Sequence, residues 1–98
     1  MSKVFDTEKY GDYELSIQAS YFHYCSPRVD GLPLQDYEKV EVAMWKRGSD
    51  FLHPVDIGAP ELEYLWNGDD VAGFVAWYDV NRIRFALMKH VESKNRKN

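Results

Sequence analysis

From Tyr13 to Ser20 apolar and polar positions alternate, with Tyr13, Leu15, Ile17 and Ala19 on one side and Glu14, Ser16, Gln18 and Ser20 on the other. A period of two predicts a strand with one buried face. The same parity carries Tyr21, His23 and Cys25 onto the apolar side, so the strand is expected to run on until Ser26-Pro27 stops it. A second alternation, in "YEKVEVAMWK", sets Val40, Val42 and Met44 against Glu41, Ala43 and Trp45 and predicts another strand. Between the two, Pro27, Asp30-Gly31 and Pro33 mark turns, with a short helical turn expected near Leu34–Tyr37. "RGSD" reads as a tight turn, and "FLHP" as a short third strand closing a hairpin onto the second until Pro54 ends it.

The pattern then changes period. "APELEYLWNG" predicts a short helix near residues 60–66: Pro60 suits a first helical position, and Glu61 and Glu63 sit by the positive end of the dipole. Gly68 supplies a left-handed cap, and Leu62, Leu65 and Trp66 face the core. "VAGFVAW" is a small apolar strand. From about Tyr78 to Ser93 the spacing of Val80, Ile83, Leu87 and Val91 predicts the main helix. Arg84 falls inside that apolar stripe. A cation there has to be paired, so an Asp or Glu from the sheet is expected beside it. Arg82 and Lys89 share the opposite, solvated face with Ala86.

Mixed strands and helices with hairpin-like pairing predict an α+β fold: an antiparallel sheet of three to four strands, a C-terminal helix packed on one face, and the short helix near 60–66. A length of 98 residues implies a single domain spanning 1–98. About the first ten residues are expected to form a loose lead-in, and about 94–98 a frayed basic tail.

Charge sharpens the picture. Residues 1–79 carry six Lys/Arg against fifteen Asp/Glu, a formal −9, whereas residues 80–98 carry a formal +5. Between Gly48 and Asn81 there is no Lys or Arg, and seven carboxylates stand there. An acidic body repels phosphates and argues against direct nucleic-acid binding. It favours a basic protein surface instead. Aromatics make up 15% of the chain, more than a core of this size absorbs, so several are expected at the surface. Tyr and Trp among carboxylates form a recognition surface. The candidate partner-binding residues are therefore Glu61, Glu63, Tyr64, Trp66, Asp69 and Asp70, joined by Tyr24 and Arg28.

Enzyme chemistry has less to build on. His23-x-Cys25 places two soft ligands on one side of a strand, but zinc needs at least three, and His53 and His90 lack partner spacing. Cys25 as a nucleophile with His23 or His53 as base is conceivable. In "HYCSPR" two residues separate Cys25 from Arg28, one of them Pro27 without an N–H. A phosphate-cradling loop needs a longer span of backbone donors. No metal, cofactor or catalytic residue is expected. A lone cysteine gives no internal disulfide, the N-terminal stretch has no apolar signal core, and no run is long enough to span a membrane. The expected setting is cytoplasmic.

The stretches "YGDYELSIQAS", "HYCSPR" and "DDVAGFVAW", followed by a closing helix, resemble small proteins carried by phages and prophages. That resemblance implies a class that includes anti-CRISPR and anti-restriction inhibitors, which act in the host cytoplasm by covering a basic nucleic-acid channel or blocking assembly. The class shares no fold or site, so no residue role follows from it. The expectation is a non-enzymatic acidic inhibitor whose partner is a host protein or ribonucleoprotein complex with a basic surface. Two alternatives stand beside it: a small enzyme or ligand binder using His23, Cys25 and Arg28, and a homodimer or other homo-oligomeric accessory protein burying its spare aromatics between copies.

Overall fold

Four strands and one long helix form in chain order in the computed structural model, which describes residues 4–95: β1 (Glu8–Tyr10), β2 (Tyr13–Gln18), β3 (Lys39–Lys46), β4 (Ala72–Ala76) and α1 (Trp77–Asn95). The strands make one antiparallel sheet in the order β1-β2-β3-β4. This is the expected α+β architecture. The β2–β3 register pairs Leu15 with Met44 and Ile17 with Val42, so the two alternating patterns put their apolar residues on the same face. That face meets Val80, Ile83 and Leu87 of α1, all fully buried, in one cluster with Val40, Val75, Tyr37, Leu62 and Trp66. Burying each such aliphatic side chain contributes roughly 1.5–3 kcal/mol. Val91, the fourth residue of the predicted stripe, is only partly buried, packing at the cluster's edge near Gly11.

The fourth strand is not the expected one. "FLHP" contributes a single bridge, Phe51 to Trp45, plus the Leu52 N–H donating to the Met44 carbonyl (2.8 Å). Pro54 starts a 3₁₀ turn, Pro54–Ile57, before a ladder can extend. The sheet edge is completed by Glu8–Tyr10, inside the stretch read as a loose lead-in, because Gly11 at φ 61 turns the chain back onto β2. The segment near 60–66 is a 3₁₀ helix, Pro60–Leu65, and a 3₁₀ turn also spans Leu34–Asp36. Lys94 and Asn95 still belong to α1, and the rest of the predicted basic tail lies outside the described residues, as do residues 1–3.

The expected partner of Arg84 is Glu8 of β1. The guanidinium donates through Nε (3.1 Å) and an Nη (2.6 Å) to the two carboxylate oxygens. Tyr10 donates its hydroxyl to the same carboxylate (2.6 Å), and Arg84 also reaches Asn81 (2.9 Å) and lies over the Trp77 ring. Burial pushes the Glu8 carboxyl up, but the hydrogen bonds from Arg84 and Tyr10 outweigh it and hold the group below its ordinary value. Burial and the Glu8 charge together push the Tyr10 hydroxyl up to about 12. This cluster ties the short edge strand to the helix.

Candidate partner-binding surface

β2 stops at Gln18, well short of the predicted end at Ser26. The next residues turn instead. His23 N–H donates to the Ser20 carbonyl (3.2 Å), Phe22 N–H to Ser20 Oγ (3.1 Å), and Ser20 Oγ lies 2.6 Å from His23 Nδ1. A serine offering its hydroxyl and carbonyl to nearby groups competes with the ladder. Cys25 turns inward, 1% exposed, its thiol donating to the Ser20 carbonyl (3.2 Å). The chain then rejoins the sheet where Ser26 bridges Lys39, and the Ser26-Pro27 peptide is cis.

The loop sorts its side chains by burial rather than parity. His23 and Cys25 are buried, and the His23 ring lies between Ser20 and Glu41, whose carboxylate is 4.0 Å from Nε2. Tyr21, Phe22 and Tyr24 point out, each more than half exposed. A reactive thiolate needs access and a nearby positive group. Cys25 lacks the access, and Arg28 is exposed and engaged with the Tyr21 carbonyl (2.8 Å). The three residues of the enzyme alternative are thus divided between interior and surface. Among the described residues, no group of three or more His, Cys, Asp or Glu side chains is placed to hold a metal ion, and no helix is long and apolar enough to cross a membrane.

The exposed residues connect. Phe22 packs edge-on against Tyr21 (centroids 5.3 Å apart), Arg28 lies over both Tyr21 (5.9 Å) and Tyr24 (5.7 Å), and Tyr24 meets Phe74 (6.1 Å). Phe74 comes from the opposite side of the sequence through a bulge in β4. Two steps on β3, Val40 to Val42, face three on β4, Val75 to Ala72, and Phe74 takes up the extra residue at φ 55. Its N–H donates to the Tyr24 carbonyl (2.9 Å), which locks the loop to the strand. Gly73 leaves room for this, since a Cβ there would sit 2.9 Å from the Tyr24 Cβ. The result is a continuous strip, Phe22–Tyr21–Arg28–Tyr24–Phe74, on the protein surface.

At its Phe74 end the strip borders a groove of about 490 Å³ lined by Tyr24, Phe74, Trp66, Asn67, Asp69 and Asp70, among others. Of the predicted contact residues, the fold therefore gathers Tyr24, Arg28, Asp69 and Asp70. It sends the others elsewhere. Trp66 is a core side chain, 1% exposed, because the 3₁₀ turn points it into the cluster under β4, and its indole N–H has no partner among the described residues. Glu63 is engaged internally, with one oxygen 2.6 Å from His53 Nδ1 and the other accepting Val55 N–H (3.1 Å). That bond holds the His53 imidazole above its ordinary range, with Asp70 adding to it from 3.8 Å. Tyr64 is exposed but receives the Arg82 guanidinium (3.2 Å), and Glu61 lines a separate groove against α1.

The sequence pattern leaves open whether the aromatic 21–24 region or the acidic window is the interface, placing Tyr21 on the buried side and Phe22 with Tyr24 on the other; Phe74 is the strip residue it does not reach. A glycine inside a strand pattern signals a bulge, so Gly73 carried a readable hint for Phe74. Nothing local announced that Tyr21 leaves the apolar side. No protein-family model matches the chain, and comparison with curated proteins and with solved structures gives no match.

Proposed function

We propose that this chain is a non-enzymatic protein-binding module, and that the Phe22–Tyr21–Arg28–Tyr24–Phe74 strip with the adjoining Asp69 and Asp70 is its interface. The observation that carries this is the continuity of the strip: five neighbouring aromatic and arginine side chains, all exposed, of the types that dominate binding hot spots. An aromatic surface of this kind, held by a backbone bond between loop and strand, loses little side-chain freedom on binding. The net negative charge of the body favours a partner with a basic surface. A host nucleic-acid-handling defence complex presents such a surface, and an inhibitor covering it fits the phage-protein resemblance.

The test is affinity capture from host lysate with the tagged protein and two variants, Tyr21→Ala/Phe22→Ala/Tyr24→Ala and Asp69→Lys/Asp70→Lys. All five positions are exposed, so circular dichroism and thermal melting should match the parent. A specific partner held by the parent, lost by both variants and released by raised salt supports the reading. A partner retained equally by both variants overturns it.

A further inference from the structure

We infer that the groove at the Phe74 end of the strip receives the guanidinium of an arginine side chain on the partner. This rests on the strip being the interface and names the chemistry that its acidic end recognises.

Three features converge there. Tyr24 and Phe74 each expose about half of their surface and stand 6.1 Å apart with planes tilted by 39°, an open wedge rather than a closed stack. Asp69 and Asp70 are exposed in the same groove, and among the described residues no Lys or Arg lines it. Asp69 has no ion pair or side-chain hydrogen bond among the described residues, and Asp70 has only the 3.8 Å approach of His53. Aromatic faces beside one free and one loosely paired carboxylate in the same groove are complementary to a cation. The carboxylates repel phosphate.

The choice of arginine over lysine follows from the walls. A guanidinium is planar and weakly hydrated, stacks on aromatic faces, and offers paired donors to carboxylates, whereas an ammonium is a compact, strongly hydrated point charge. The surface already holds one guanidinium in this manner: that of Arg28 lies over Tyr21 and Tyr24 at 5.9 and 5.7 Å. A volume of about 490 Å³ accommodates one long side chain. The groove lies beside the bulge, where Phe74 sits at φ 55. A left-handed conformation at a non-glycine residue costs on the order of 1 kcal/mol, and it is this backbone geometry that turns the ring outward against Tyr24.

The test is a titration of ¹⁵N-labelled protein with capped tri-arginine and, separately, capped tri-lysine peptide, followed by amide and indole chemical shifts. Tri-arginine is expected to move the resonances of Tyr24, residues 67–74 and the Trp66 indole N–H, and to bind roughly threefold or more tighter than tri-lysine. Asp69→Asn/Asp70→Asn should weaken tri-arginine roughly tenfold. Phe74→Leu keeps bulk at the bulge but removes the aromatic face, and should abolish the preference for arginine while leaving the melting temperature close to the parent's. Phe74→Tyr should retain that preference. Equal binding of the two peptides by the parent, or shifts that map away from residues 67–74, overturns the inference, as does a preference that survives Phe74→Leu. The two readings fail separately. Capture that depends on Tyr21 and Phe22 without any arginine preference removes only the guanidinium site. An arginine preference with capture indifferent to the strip removes the proposed function and leaves a cation site.

Discussion

The Glu8–Arg84 pair gives the most quantitative expectation. Removing the carboxylate with Glu8→Gln, the cation with Arg84→Met, and both together closes a double-mutant cycle. Fully exposed ion pairs measure about 0.2–1 kcal/mol, and hydrogen bonds to charged groups about 1.5–3 kcal/mol. Here the pair is bidentate, at 3.1 and 2.6 Å, and the two side chains are 33% and 29% exposed. Discounting the upper range for that solvent access gives a coupling of about 1–1.5 kcal/mol. Glu8→Gln alone should cost about as much, because Arg84 keeps Asn81 and the Trp77 ring. For a domain of this size 1 kcal/mol shifts the melting temperature by roughly 4–8 °C. Urea unfolding of the four proteins at neutral pH reads the coupling, and a pH series adds a second check. Because the Glu8 carboxyl is held below its ordinary value of 4.5, its contribution is present above that value and lost as pH falls through the lower folded one. Glu8→Gln should therefore flatten the acid side of the stability profile. A coupling below about 0.5 kcal/mol, in the range of ordinary surface pairs, would refute the claim that this cluster docks β1 onto α1.

Further outcomes follow from the same geometry. Gly73→Ala drives a Cβ to 2.9 Å from that of Tyr24 and should cost about 1–2 kcal/mol, with altered tyrosine ring shifts by NMR; a neutral variant means that the loop does not rest on the bulge. Leu87→Ala, at a fully buried position, should cost about 2–5 kcal/mol in urea unfolding, whereas Met88→Ala on the exposed face should stay within about 0.5 kcal/mol. The two histidines outside the loop act in opposite senses. His53 is raised by its bond to Glu63, so its contribution is full below its ordinary value of 6.5 and fades as pH rises through the raised one. His90 is lowered by burial and by Lys94, so its contribution is present above 6.5 and lost as pH falls. Urea midpoints from about pH 5 to about pH 9 should therefore lose their alkaline decline in Glu63→Gln and part of their acid decline in His90→Gln. Cys25 should react with a thiol reagent only at the rate of unfolding, and fast modification of the native protein would contradict its burial.

Wherever burial follows a single local period, the sequence was sufficient. The apolar sets of β2 and β3 and the stripe Val80–Ile83–Leu87 each obey one repeat and are hidden together, although β2 is covered on its polar side too, where Ser16 and Gln18 are buried and Gln18 bonds the backbone of Val4 and Phe5. Arg84 inside that stripe predicted a carboxylate partner for the same reason, since a cation on a core face has to be paired. Between Gln18 and Ser26 the rule failed because side-chain bonding at Ser20 outcompeted the ladder. His23 and Cys25 stayed inside as their parity suggested, but Tyr21 left the buried side. The acidic window was legible as charge, and its division was not. Glu63 is consumed by His53, Trp66 by the core, and Asp69 and Asp70 are left at the surface, a sorting that depends on how a 3₁₀ turn meets the sheet. Period and charge along the chain determined β2, β3, β4 and α1, their apolar faces and the sign of the surface, but not the edge strand β1. Which aromatics stand together was decided only by tertiary structure, because the bulge at Phe74 and the loop at Tyr24 are fifty residues apart and are joined by a backbone bond and a ring contact that no local pattern encodes.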